Sequence, residues 1–308
     1  MLAFAGSSLG QYDDWAHSGA MYILTTPEGA NLPRTASEVD FPLLVRLDKD
    51  GFDFTQAQDT GADIRFATAA GEAMSYQIEH WDASAGSASI WVLVPSIWGD
   101  GRQQINMFWG KADAESGSNG SVVFSDTNDY LSVWHMNDPV HDDVGRLTSA
   151  DTGTLPAMGV VGEARHFPGG KGITAGENIT DFPVSNHPHT SEAWIRSEKA
   201  NGMILAWGNE QAQGKVTMQF ASPPHIRMDC YFSNGNVAGK SELEFSKWYH
   251  VVHTYSSGVA KVYVNGVLDG VFASTGSPLN IRTPARLFIG GWYNNYSFVG
   301  DIDELRIS

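Results

Sequence analysis

A single cysteine among 308 residues rules out any intrachain disulfide, so the fold must be held by burial and hydrogen bonding alone. Cys230, in Asp229-Cys230-Tyr231, reads as a strand residue with an inert core thiol rather than a nucleophile. No run of 18 apolar residues occurs, which excludes a membrane-crossing helix within this sequence. Helical periodicity is also missing: no window repeats apolar residues at i, i+3, i+4, i+7 over three turns. Basic residues are scarce, with 19 Lys and Arg against 35 Asp and Glu and a net charge of −16. Residues 1–124 hold 6 basic and 16 acidic side chains (−10), and residues 125–308 hold 13 and 19 (−6). Both halves lack the basic face that duplex nucleic acid or an anionic membrane requires, and the acidity reads as a solubility device. There is no G-x-S-x-G, no P-loop and no G-x-G-x-x-G following a strand.

What is abundant is turn chemistry. Thirty-three Gly and thirteen Pro accompany 42% hydrophobic residues, the balance of an all-β protein with real cores. The length suits two domains. Short alternating segments follow one another: Met21–Thr25, Phe41–Leu47, Asp63–Ala67, Tyr76–Trp81, Ser89–Val94 and Gln104–Gly110. Pro42 places the second of these near a sheet edge or at a strand start. Lys111–Asn119 is polar and Gly/Ser-rich and reads as a linker or domain edge. A second set runs from Leu131–Met136 through Gly162–Phe167, His189–Arg196, Trp248–Val252 and Lys261–Val267 to Gly300–Ile307. Asn265-Gly266 within it is the strongest hairpin signal of the chain. At the N-terminus, Leu2-Ala3-Phe4-Ala5-Gly6 has the small-x-small shape of a signal-peptidase site without the charged and apolar regions that precede one. The tail of a trimmed export signal and chance both account for it.

Two families are resembled. Phe41–Leu47, Phe52-Asp53-Phe54, Gly61–Phe66, Ile78–Trp81, Ile90–Pro95 and Phe108-Trp109-Gly110, in that order, resemble domain of unknown function 2341 over about residues 12–124. The strands "G-x-A-x-x-F", "T-x-E-x-W-I", "W-Y-H-V-V", "V-Y-V-N-G" and "G-D-I-D-E-L-R-I" resemble the laminin-G-like, or concanavalin A-like, sandwich over about residues 128–308. The resemblance implies two tandem antiparallel β-sandwiches, the second a concanavalin A-like jelly roll, with domains at 1–124 and 125–308. It also implies an exported bacterial protein (periplasmic, cell-surface or extracellular) that continues beyond the final strand.

For the second domain the resemblance implies a structural Ca²⁺. Asp303 is the first-choice ligand, with Asp301, Asp138 and Asn137 behind it; the alternative is that Asp303 only accepts hydrogen bonds from turn amides. His187 with His189, and His250 with His253, lack the partners of a zinc site. A saccharide site needs rings with amides and charged groups around them. Gly290–Ser297 offers Trp292, Tyr293, Asn294 and Tyr296. Arg227, Asp229 and Tyr231 alternate on a nearby strand, and Trp207-Gly208-Asn209 ends another. The alternative for Trp292 and Tyr296 is to plug the open end of the sandwich. Trp134, Trp194 and Trp248 fall in strand patterns and are expected in the core. Three functions follow. The first is non-catalytic binding of a polysaccharide or glycan, neutral in view of the charge unless Arg227 joins Arg282 or Arg286. The second is a glycoside hydrolase or lyase with a non-standard carboxylate pair, and the third is an adhesive, protein-binding module.

Overall fold

The computed structural model describes residues 9–230, 236–273, 279–291 and 295–308. It divides into two compact units, Met1–Asn128 and Asp129–Ser308, each with its own core.

The first unit is a sandwich of two antiparallel sheets. Its strands are β1 (His17–Leu24), β2 (Ser37–Asp48), β3 (Arg65–Thr68), β4 (Ala73–Met74), β5 (Tyr76–Asp82), β6 (Ser87–Trp98) and β7 (Arg102–Trp109). One sheet has the order β1-β7-β3-β4 and the other β2-β6-β5. β2 is an edge, one of the two positions open to Pro42. Ile64, Phe66, Tyr76, Ile90, Val92 and Met107 fill the space between the sheets.

Lys111–Asn119 is not a free linker. Buried Asp63 accepts from the Gly110 and Lys111 amides (2.6 and 3.2 Å). Gln58 donates to the Lys111 and Ala114 carbonyls, and the Asn119 amide donates to the Tyr76 carbonyl. The side chains of Asp63 and Gln58 and the Tyr76 carbonyl satisfy these backbone groups and tie the segment to the first unit. Phe124 then packs against Trp91 at 5.7 Å within this unit.

The second unit is a larger sandwich. Its strands are β8 (Ser132–Trp134), β9 (Ala150–Asp151), β10 (Leu155–Met158), β11 (Glu163–Pro168), β12 (Ile173–Ile179), β13 (His189–Ser197), β14 (Gly202–Gly208), β15 (Lys215–Phe220), β16 (Ile226–Cys230), β17 (Val237–Ala238), β18 (Trp248–Ser256), β19 (Val259–Val264), β20 (Val267–Ala273), β21 (Ala285–Ile289) and β22 (Val299–Ile307). One sheet runs β10-β11-β22-β13-β18-β19-β20, with β8 also paired to β22, and the other runs β17-β16-β15-β14-β21-β12-β9. All these pairings are antiparallel, as in a concanavalin A-like jelly roll.

Period-2 alternation decides what lies inside. On β13, His189, Ser191, Ala193, Ile195 and Ser197 are buried and the residues between them are half-buried. Trp194 therefore faces outward, tilted against His250 at 5.2 Å. Trp248 also faces outward, under the Arg196 guanidinium at 5.1 Å. Of the three tryptophans expected in the core, only Trp134 is there. Its indole donates to the Ser132 hydroxyl. Cys230 is buried, and burial pushes its thiol up to about 12, in keeping with an inert role.

Candidate functional site

The outer face of the seven-stranded sheet is built by four of its strands. On β15, Val216, Met218 and Phe220 enter the core, so Lys215, Thr217 and Gln219 point the other way. On β16, Ile226, Met228 and Cys230 point inward, leaving Arg227 and Asp229 outside. On β14 and β21, the inward side chains include Leu205, Trp207, Leu287 and Ile289. Met203, Ala206 and Phe288 form a separate apolar cluster on the opposite face.

Register brings these groups together. Phe288 pairs with Ala206, Ala206 with Thr217, and Thr217 with Asp229. Met203 pairs with Gln219, and Gln219 with Arg227. The result is a polar row beside an apolar cluster that is itself buried, with Met203, Ala206 and Phe288 at 3%, 0% and 5% exposure. Gln219 Nε2 donates to Thr217 Oγ1 and to Asp229 Oδ2, both at 3.0 Å, and Arg227 Nε donates to Asp229 Oδ1 at 2.6 Å. The Arg227 side chain keeps 43% of its surface exposed. Phe288 is also part of the wall of a recess of about 160 Å³, with Thr152, Thr174, Glu177 and Gly291 around it.

Tyr296 adjoins the same sheet. Its carbonyl accepts from the Met203 amide at 2.8 Å, and the neighbouring Ser297 bridges to Met203. Its ring is 66% exposed. Arg227 lies two strands from Met203, roughly 10 Å at the spacing of paired strands. The structure thus puts Arg227 and Asp229 on one face, and sets the Tyr296 backbone against β14 of the same sheet. Tyr231, Trp292, Tyr293 and Asn294 lie outside the described residues. Trp207 does not belong to the face; it is fully buried, edge-on to Phe182 and His189. Thr217, Gln219, Met203 and Phe288 escaped the sequence reading. The alternation in Lys215–Phe220 was the available signal for the first two.

The three expected metal carboxylates do not converge. Asp301 is held between Arg196 Nε (2.6 Å) and His166 Nδ1 (2.9 Å), and Asp138 faces Arg165 at 3.1 Å. Each is thereby an anion already neutralised by a cation. Asp303 differs. Its Oδ2 accepts from the Val160 and Val161 amides (2.6 and 3.0 Å), and its Oδ1 is buried with no hydrogen-bond partner among the described residues. Burial and the neighbouring Glu304 carboxylate push Asp303 well above the usual carboxylate range. An orphaned carboxyl oxygen fits one position of a hard-cation site, so the donor set reduces to Asp303.

The other acidic side chains nearby are ion-paired. On the outer face of the eight-stranded sheet, Arg306 bridges Glu192 (3.6 Å) and Glu304, and His250 approaches Glu192 at 3.3 Å. Burial raises the Glu192 carboxyl, but His250 and Arg306 together hold it below its ordinary value.

Residues 60–136 match the profile of the domain of unknown function DUF2341, and residues 169–308 match that of the concanavalin A-like lectin/glucanases superfamily. No curated protein matches the chain. Among solved structures, domain 4 of AbnA, a GH43 extracellular arabinanase from Geobacillus stearothermophilus, in complex with arabinotriose, is 19% identical. That alignment covers 58% of this chain and 91% of the other, with a TM-score of 0.47. The CBM40 of the Ruminococcus gnavus IT-sialidase, bound to α2,3-sialyllactose, is 15% identical over 50% of this chain and 92% of the other (TM-score 0.38). A heptameric SAP-like pentraxin from Limulus polyphemus is 20% identical over 46% and 73% (TM-score 0.35). Two family profiles thus match in order along the chain, DUF2341 over residues 60–136 and the concanavalin A-like lectin/glucanases superfamily over residues 169–308.

Proposed function

We propose that the protein binds a neutral polysaccharide or glycan without cleaving it, through the outer face of the seven-stranded sheet. One observation carries this reading: Gln219, Arg227 and Asp229 form a hydrogen-bonded polar row on that face, with Arg227 partly exposed, and the exposed Tyr296 adjoins β14 of the same sheet. Apolar C–H faces of a sugar stack on an exposed ring such as Tyr296, and its hydroxyls meet donors and acceptors held at fixed positions. The Glu192–Arg306–Glu304 network supports a non-catalytic role, because Arg306 is ion-paired with both carboxylates. A hydrolase needs a carboxylate pair poised across a scissile bond.

Affinity electrophoresis through gels containing soluble neutral polysaccharides tests the proposal. Arg227→Ala and Tyr296→Ala are each expected to weaken retardation about tenfold, the value of one stacked ring or one charged hydrogen bond. Retardation equal to that of the unaltered protein in both variants would remove this face from the site. Reducing-end release from the same polymers would favour the hydrolase reading.

Two further elements belong to this reading. Asp303 Oδ1 would hold a Ca²⁺ on the other sheet, supporting the fold rather than touching sugar. The protein would work outside the cytoplasm, where such polymers are met. No helix among the described residues is long and apolar enough to cross a membrane.

A further inference from the structure

The first unit contains a groove that the glycan reading of the second does not use. It encloses about 430 Å³, within the roughly 300–1,000 Å³ typical of small-ligand sites. Met74, Val94 and Ile105, all buried in the core of this unit, form its floor. Glu72, Arg102 and Gln104 stand on its rim. The dominant feature is Trp98, the last residue of β6, which lines the groove and remains 48% exposed.

Trp98 is held in place from several directions. Its amide donates to Gln103 Oε1 at 2.9 Å, and its carbonyl accepts from Thr25 Oγ1 at 2.7 Å. Thr25 Oγ1 in turn accepts from the Gly101 amide at 2.9 Å. Arg34 and Asp100 pair across the turn at 3.0 Å. The indole lies against the backbone of the β6–β7 turn. A Cβ added at Gly101 would stand 2.5 Å from its Nε1 and 2.8 Å from its Cδ1. Glycine at 101 is therefore what lets the ring lie down on the turn with the remainder of its surface toward solvent. Beside it, the Arg102 guanidinium sits 3.7 Å from the centroid of Tyr22, a ring that is itself 47% exposed.

We propose that this groove is a second saccharide site, with Trp98 as the stacking platform and Glu72, Arg102 and Gln104 reading hydroxyls. With the Trp98 backbone held by Gln103 and Thr25 and its indole resting on Gly101, the ring loses little entropy on binding, which favours a small rigid ligand. The rim carries one acid, one base and one amide, a mixture suited to the paired donor and acceptor character of hydroxyls. A strongly anionic ligand is disfavoured by the net −10 of residues 1–124. The site is independent of the one on the second unit.

The test uses the full chain in gels of soluble neutral polysaccharides (arabinan, galactan, xylan and mixed-linkage β-glucan). The Arg227→Ala/Tyr296→Ala double variant is expected to keep some retardation in at least one gel. Adding Trp98→Ala to it should weaken that remainder about tenfold, and Trp98→Phe should retain part of it. Gly101→Ala, which displaces the indole without deleting it, should also weaken it. Thermal unfolding of each variant checks that the fold survives. The proposal is overturned if the double variant shows no retardation in any of the four gels, or if its remaining retardation is unchanged by Trp98→Ala.

Discussion

His189 and His253 sit side by side in the core of the second unit, with ring centroids 5.7 Å apart. The carbonyl of His187 can only accept, so His189 Nδ1 donates to it (3.1 Å) and Nε2 is left as a bare lone pair. That atom, both His253 nitrogens, Ser191 Oγ and Trp207 Nε1 are buried without partners among the described residues. Burial lowers His189 to about 4 and His253 well below its ordinary value. Both rings are therefore neutral in the fold but titrate near 6.5 when unfolded. The unfolded chain binds more protons in that interval, so stability is full above pH 6.5 and is lost as pH falls toward 4. For His189 alone the loss is on the order of 3 kcal/mol. His189→Phe, which also keeps the stack on Tyr255, should flatten the fall of the urea midpoint between pH 7 and pH 4.5; an unchanged slope would assign the acid sensitivity elsewhere. Asp303 makes a second prediction at this scale. Millimolar CaCl2 should raise the melting temperature of the unaltered protein by a few degrees and leave Asp303→Asn unmoved. Equal shifts in both would place any calcium site away from Asp303.

The β19–β20 hairpin shows how much a short element owes to two residues. Asn265 and Gly266 both have positive φ, 50° and 78°, as a two-residue hairpin turn requires. Asn265 is fastened to β18, its Oδ1 accepting from the His250 amide (2.9 Å) and its own amide donating to the His250 carbonyl (2.8 Å). A Cβ added at Gly266 meets nothing within 4 Å. The cost of Gly266→Val is then backbone strain alone, about 1–2 kcal/mol, measurable as a lower urea midpoint with an unchanged m-value. A neutral substitution would mean the turn relaxes to another type. The same hairpin was readable from its dipeptide, whereas the face presented by Trp194 and Trp248 was not. On β13 the smaller Ser191, Ala193 and Ile195 occupy the inward phase. A rule that sends large aromatics inside chooses the wrong phase of the alternation.

For the molecule as a whole, the net charge of −16 sets what its ligands feel at a distance. Binding that depends on stacking and neutral hydrogen bonds should vary less than twofold between about 50 and about 500 mM NaCl, because salt screens only the charged contribution. A steep decline over that range would point to an anionic polymer held by Arg227 and its neighbours. Each unit also has a separate hydrophobic core. A fragment of residues 129–308 should keep a strand-type circular dichroism spectrum and a cooperative melt, and a non-cooperative melt would show that its core is insufficient alone.

Alternation, turn dipeptides and composition act locally, and they determined the all-β class, the two units, the edge-or-start position of Pro42 and the strands that carry Arg227 and Asp303. Register and phase are settled only when strands meet across a sheet. The placement of Tyr296 beside Met203 and of Arg227 beside Gln219, the capture of Asp301 by Arg196 and His166, and the orphaned oxygen of Asp303 were therefore decided by the tertiary structure. The physical reason is range. A residue's neighbours along the chain fix its local conformation, but its partners and its exposure are set by groups up to 169 positions away, the separation of the hydrogen-bonded His135 and Glu304.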